Sequence, residues 1–449
     1  MSKQKIQLSD HFDYSRLIRF VLPCIGTMLF TSIYGIVDGL CVSNFVGKTA
    51  FAAVNLIMPV PMLVGTVGFM LGTGGSAIVG ITLGEGDKAR ADRYFSLFMS
   101  TALIAGIVLS VLGILLLRPV ALMLGAEGEM LDYALRYGRV LMLSLPTFIL
   151  QNMFQSFFVT AEKPHLGFYF TVGAGCTNMV LDVLMVGIWG WGVEGAAIAT
   201  FISQLVGGVL PVFYFIDRSN SSRLHLCKTS FYSKVLRDAC INGSSELMTN
   251  LSMSLVNILY NYQLLRLAGE NGVAAYGVIM YAAFLFVAVF VGYAVGSAPI
   301  VSFHYGARNH AEVHNLYRKS LRLIAVVAVT LTLASMFIIP CVARIFVGYD
   351  AELLALTSRA FRLYALSFLI MGFNVYASSF FTALGDGVTS ALISFLRTLA
   401  FQMIAILLLP LLLGIDGIWL AVTAAELAAL AVSATMLLTK DKVFHYRKA

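Results

Sequence analysis

The chain has 449 residues, of which 59% are hydrophobic and 12% charged, with a mean hydropathy of +0.86 and a formal net charge of +7. A soluble domain is nearer half apolar and a quarter charged, so the apolar excess is more than a globular core could bury and must face lipid. That excludes a soluble enzyme, and no nucleic-acid partner is expected because no basic face alternates with exposed aromatics.

The chain starts with a polar stretch and then an apolar run of full spanning length, which is not the pattern of a cleavable signal. Twelve apolar runs of roughly 20 residues follow, the length a bilayer requires. They centre near residues 30, 65, 105, 147, 176, 204, 251, 287, 327, 368, 400 and 426. The runs are continuous, whereas a membrane β-barrel alternates. The expected fold class is an all-α integral membrane protein, with twelve transmembrane helices in two pseudo-symmetric six-helix bundles. The expected divisions are an amino-terminal segment (1–16), an amino-terminal bundle (17–216), a linker (217–234), a carboxyl-terminal bundle (235–438) and a tail (439–449). The linker, with Ser219–Asn220–Ser221–Ser222, reads as flexible and poor in helix. With the amino terminus in the cytoplasm, roughly two-thirds of the Lys and Arg residues fall in cytoplasmic segments. Both termini are then cytoplasmic, and the membrane expected is the bacterial inner membrane.

The second half repeats the first, 222 positions on. Gly47–Ala52–Ala53 recurs as Gly269–Ala274–Ala275, and Gly74–Gly75–Ser76–Ala77 recurs as Gly296–Ser297–Ala298–Pro299. Gly84 recurs as Gly306, and Gly192–Val193–Glu194–Gly195 as Gly414–Ile415–Asp416–Gly417. Duplicated membrane halves usually mean a transporter with its site between them. A phosphate-binding GxxxxGK[ST] loop is absent, so the energy source expected is an ion gradient, downhill flow or a separate ATPase, and no enzymatic activity is expected. The six cysteines show no CxxC spacing, and neither a disulfide nor a metal cluster is expected.

Charge inside the bilayer costs several kcal/mol, so carboxylates there are functional candidates. Asp38 lies in helix one, Asp182 in helix five, Glu246 in helix seven and Glu426 in helix twelve. Asn178 and Asp182 are four apart and share a helix face. Converged with Asp38 and with Thr200 of helix six, they would offer hard oxygen ligands for Na⁺, or paired carboxylates for a proton. Adding 222 to Asp38, Asn178, Asp182 and Thr200 lands on Tyr260, Ala400, Ile404 and Val422. The ligands exist in one half only, which points to an ion site in the amino-terminal bundle. Glu246 lies one or two turns inside its helix end, and Glu426 matches the neutral Gln204. Tyr34, Gln151, Asn152, Gln155, Asn257 and Asn374 are the candidate substrate-cavity residues. Arg397, about ten residues into helix eleven, is expected to snorkel to the cytoplasmic side. Pro23 and Gly26 make helix one the candidate for bending.

These features, in order and doubled, resemble the multidrug and toxic compound extrusion (MATE) family over residues 14–440. The stretches carrying the resemblance are Tyr34–Gly35–Ile36–Val37–Asp38, Gly47 to Ala53, Asn178–Met179–Val180–Leu181–Asp182 and Val193–Glu194–Gly195–Ala196–Ala197. The resemblance implies a Na⁺- or H⁺-coupled antiporter, with no other cofactor, exporting amphipathic and often cationic drugs by alternating access. It assigns Asp38, Asn178, Asp182 and Thr200 to the cation site and makes Glu246 the candidate for a second set of acids on helices seven and ten. Helix ten has no carboxylate between Arg362 and Asp386. The partners implied are a drug-like small molecule, the coupling cation and lipid, and a monomer suffices. The competing reading is a flippase for lipid-linked oligosaccharides. It would need a basic cavity for pyrophosphate, whereas the charges within these helices are mostly acidic.

Overall fold

The computed structural model describes residues 6–45, 48–348 and 350–447; the side chains of residues 36–48, 51, 342 and 345 lie outside the description. Among the described residues every regular element is a helix. Nine are long and apolar enough to cross a bilayer, and two further spans are bent pairs. The 74-residue helix Ser233–Gly306 serves as two spans, broken at Gly269 (φ 59°, ψ −151°), a conformation that side-chain-bearing residues seldom adopt. Twelve spans result, as expected.

In chain order, helix one is Tyr14–Phe45, helix two Lys48–Ile57 continued by Pro59–Gly84, and helix three Lys88–Met123. Helix four is Gly128–Leu143 with Leu145–Thr160, helix five Pro164–Asp182 with a π-helical turn at Val183–Ile188, and helix six Gly192–Gly208 with Leu210–Ile216. Helices seven and eight are the two arms of Ser233–Gly306, and helix nine is His310–Val347. Helix ten is Ala351–Ala365 with Phe368–Ala383, helix eleven Gly387–Phe395, the π-helical turn Leu396–Ala400 and Phe401–Leu413, and helix twelve Ile415–Thr439.

The repeat is visible in the breaks. Helix four bends by 55° at Ser144, and helix ten by 46° at Leu366 and Ser367, the matching place. Pro146 accounts for the first bend, because its ring removes a helical donor. Helix ten bends without a proline. Glu194 at the start of helix six approaches Arg136 of helix four at 3.7 Å. Its repeat mate Asp416, at the start of helix twelve, pairs with Arg359 of helix ten.

Residues 6–13, the linker, the carboxyl-terminal segment and the loops after helices four, eight and ten gather on one face, here the terminal face. The backbone N–H of Leu8 donates to Glu162 after helix four (2.8 Å), and that of Phe12 donates to Glu312 at the start of helix nine (2.9 Å). His11 Nδ1 lies 2.6 Å from Glu312, Lys319 Nζ donates to the Phe12 carbonyl at 2.6 Å, and Arg223 of the linker reaches Glu162 at 2.5 Å. The amino-terminal segment therefore straps the two halves together. The linker, read from its composition as flexible, is held against helix three. His225 N–H donates to Asp92 (2.9 Å), Cys227 N–H to the Ser96 hydroxyl (2.9 Å), and the Thr229 hydroxyl to the Arg93 carbonyl (2.8 Å). A polar linker that cannot form helix satisfies its backbone on the side chains of helix three instead.

The halves meet through helices one and two against helices seven and eight. The seam is backbone on backbone. A methyl at Gly74 would overlap the Ala239 carbonyl and one at Gly243 the Met70 carbonyl; one at Gly84 would overlap the Phe303 carbonyl and one at Gly306 the Ile81 carbonyl. Small residues allow this approach in a bilayer, where lipid supplies no hydrophobic drive between helices. All four glycines lie in the halves of their helices nearer the terminal face.

Candidate transport site

Beyond the seam the halves diverge around a cavity of about 510 Å³. It runs from Ser76 and Thr382 at its deep end to Pro59 and Asn257 toward the opposite face. Its wall is mainly apolar, with Met253, Met280 and Phe284 beside the stacked rings of Tyr260 and Tyr276 (centroids 4.9 Å apart, 12° between planes). Such a wall suits an amphipathic ligand with few fixed polar contacts.

The amino-terminal candidates converge only in part within the described residues. Asn178 is 2% exposed and Asp182 0%. The Asn178 amide donates to the Thr200 hydroxyl at 3.4 Å, and that hydroxyl donates to the Ala196 carbonyl at 3.0 Å. Asn178 Oδ1 is buried with no hydrogen-bond donor among the described residues. A buried acceptor left open beside a buried carboxylate is the electrostatic setting in which a cation or proton is favoured. Together with Thr200 and Asp182 it is a hard oxygen donor set that fits Na⁺. The π-helical turn begins directly after Asp182, and such turns are frequent at functional sites because they loosen the helical ladder. Helix one runs unbroken through Pro23 and through residue 38, but the Asp38 side chain lies outside the described residues.

Most residues read from the sequence as cavity-lining sit elsewhere. Asn257 lines the cavity and accepts from the Asn261 amide at 3.3 Å. Tyr34 is half-buried within the amino-terminal half, its ring 6.3 Å from that of Phe30. Gln151 packs against Gly207 of helix six, and Asn152 is buried between helices. Gln155 borders a small crevice with Cys24 and Phe158, too tight for a drug. A polar ladder on one helix does not reveal which neighbour it faces, which is why the sequence alone placed them together.

The carboxyl-terminal half holds the larger surprise. Arg397 does not snorkel. The π-helical turn Leu396–Ala400 carries it inward, 12% exposed, with Nη1 3.4 Å from Oε1 of Glu426, itself 1% exposed. Asn374, fully buried, donates to Oε2 of Glu426 at 2.7 Å and to its carbonyl at 2.9 Å. Asn374 thus holds a carboxylate and does not line the cavity, whereas Glu246, Arg397 and Glu426 do. An unpaired buried charge costs far more than a paired one, so an arginine and a glutamate both read as intramembrane could have been matched on that ground. Their separation in sequence hid the contact.

Comparison with known proteins places these features in context. The family model MatE matches residues 23–184 and again 247–408, once per half. The chain is 21% identical over 442 residues to the multidrug export protein MepA of Staphylococcus saprophyticus, covering 96% of this chain and 95% of that one. It is 22% identical over 435 residues to MepA of Staphylococcus aureus, with the same coverage. Among solved structures, a MATE protein in complex with MaL6 superposes over the whole of both chains with TM-score 0.92 at 23% identity. A MATE family transporter of the MOP superfamily in an outward-facing conformation gives 0.91 at 23%, again over both whole chains.

Proposed function

We propose that this chain, which belongs to the MatE family of multidrug and toxic compound extrusion transporters, is a cation-coupled antiporter that exports amphipathic, often cationic compounds by alternating access. The terminal face, with its Lys and Arg residues, is the cytoplasmic side of a bacterial inner membrane on this reading. The seam of helices one, two, seven and eight then closes the cytoplasmic side, and the cavity faces outward. Asp38, Asn178, Asp182 and Thr200 take the coupling ion, Na⁺ or H⁺. The observation that carries the reading is the fully buried Asp182, one turn from an Asn178 oxygen that has no donor among the described residues, with Thr200 attached. In a buried carboxylate site, charge is neutralised by a proton or a metal ion, and a bound ion changes which arrangement of helices one, five and six is favoured. The exported compound leaves by the central cavity, and Glu246 supplies negative charge there.

The deciding experiment is ethidium efflux from vesicles with a Na⁺ gradient and a pH gradient imposed separately. Efflux driven by either gradient supports the antiporter and names its ion. Folded protein that responds to neither overturns the reading and favours a lipid-linked cargo.

A further inference from the structure

The terminal face carries a second cavity, open to the outside and of about 570 Å³, where the start of helix three meets the linker. Lys88 and Arg93 of helix three, Arg218 just after helix six and Lys228 of the linker line it. All four are exposed, and none makes an ion pair or a side-chain hydrogen bond among the described residues. Other basic residues nearby are matched: Arg90 pairs with Glu85 and lies 3.4 Å from Asp87, and Arg223 reaches Glu162. Among the described residues Asp92 is the one acid in the lining, and its Oδ1 already accepts from the His225 N–H at 2.9 Å. His225 lines the cavity too, and its Nε2 is buried with no hydrogen-bond partner among the described residues. Four cations against one carboxylate leave the cavity with positive charge that nothing in the lining compensates.

We propose that this cavity binds the phosphate of an anionic phospholipid headgroup, with Lys88, Arg93, Arg218 and Lys228 as its cationic partners. Phosphate oxygens accept charge-assisted hydrogen bonds from both lysine and arginine, and basic pockets on this side of a membrane protein attract anionic lipid. The ordinary basic excess of a loop is strung along one segment. Here the cations come from three separate segments, and the linker bonds of Cys227 and Thr229 to helix three hold Lys228 beside Arg93. The rim favours a lipid over a free phosphate. Ile216, two residues before Arg218, is 54% exposed, and Phe231, three residues after Lys228, is 74% exposed. Large apolar side chains left open beside basic ones suit the level where acyl chains meet headgroups. The bound phosphate would tie helix three, the end of helix six and the linker together. The assignment stands on the fold and does not use the export reading.

Cys227 lines the cavity and is only half-buried, so it reports on occupancy. The full-length chain, with Cys227 as its single cysteine, is placed in vesicles of phosphatidylcholine alone or with phosphatidylglycerol of the same acyl chains. Alkylation by the neutral, membrane-permeant reagent N-ethylmaleimide is then timed. Phosphatidylglycerol is expected to slow the reaction at least about fivefold, the worth of one basic contact at an anionic surface. Inorganic phosphate added to the neutral vesicles is expected to leave the rate within about twofold, because it lacks the acyl chains that the rim receives. In the triple variant Lys88→Gln, Arg218→Gln, Lys228→Gln the two vesicle types should give nearly equal rates. A second readout needs no thiol: phosphatidylglycerol should raise the melting temperature of the detergent-solubilised protein and leave that of the triple variant unmoved. Equal slowing in the triple variant would mean that the surface potential of the vesicle acts alone, and would overturn the site. So would equal rates in the two vesicle types, with no shift in melting temperature. Full protection by inorganic phosphate would overturn the lipid assignment in favour of a free anion.

Discussion

At the scale of single residues, the intramembrane carboxylates carry the functional argument, and each makes a distinct prediction. Asp182→Asn keeps the shape of the side chain and removes its charge, so gradient-driven ethidium efflux should fall at least about tenfold while the thermal transition moves little. Unchanged efflux would eliminate the amino-terminal coupling site. Glu426→Gln leaves the largely buried Arg397 without its carboxylate and should cost about 3 kcal/mol or more of stability. Adding Arg397→Gln should recover most of that loss, and a double-mutant cycle on thermal or denaturant unfolding reads the coupling. Asp386, which caps helix eleven outside the membrane, gives a pH signature. Partial burial raises its pKa, but Lys440 at 2.9 Å and the Thr389 hydroxyl and amide outweigh that and hold it below the usual carboxylate value. Its contribution to stability is therefore complete above the ordinary carboxylate range and lost as pH falls through the lowered pKa. The difference in melting temperature between wild type and Asp386→Asn should shrink on acidification from pH 7 to pH 3. The acids were legible in the sequence because charge in an apolar run stands out. The partners of Glu426 were not, since a contact across 29 or 52 residues leaves no local trace.

At the scale of elements, hydropathy and the repeat gave all twelve spans, while the internal breaks were only half legible. Pro146 marks the bend of helix four in the sequence. The matching bend of helix ten is made by packing and has no proline to mark it. Likewise the π-helical turns that follow Asp182 and enclose Arg397 insert an extra residue into the helical ladder without any composition cue. Gly84 and Gly306 end helices two and eight, and the structure gives both a further role at the inter-half seam. Gly306→Val should wedge helix eight away from the Ile81 carbonyl. The expected result is faster labelling, from the terminal side, of a cysteine placed at Ser76 in a background lacking the native cysteines. Labelling as slow as that of the unsubstituted seam would show that the glycine is a helix stop only.

At the scale of the whole molecule, transport by alternating access requires the seam to open, so locking it should arrest turnover. Cysteines at Ile81 and Phe303, joined by a short bifunctional thiol reagent, are expected to stop efflux while leaving dye binding from the opposite face intact. Continued efflux of the linked protein would mean that the two halves do not separate there. The amino-terminal strap must also yield, since it bonds to Glu162 in one half and Glu312 in the other.

The held linker has a mechanical corollary. Because Leu226 N–H donates to the Phe215 carbonyl (2.9 Å) and residues 225–229 are tied to helix three, the chain between the halves is effectively a hinge pin. Only Ser230, Phe231 and Tyr232 lie between the last tied residue and the start of helix seven at Ser233, and three extended residues reach about 11 Å at most. The travel of one half against the other is thereby leashed at this corner, so the swing must be widest at the edge farthest from residue 230.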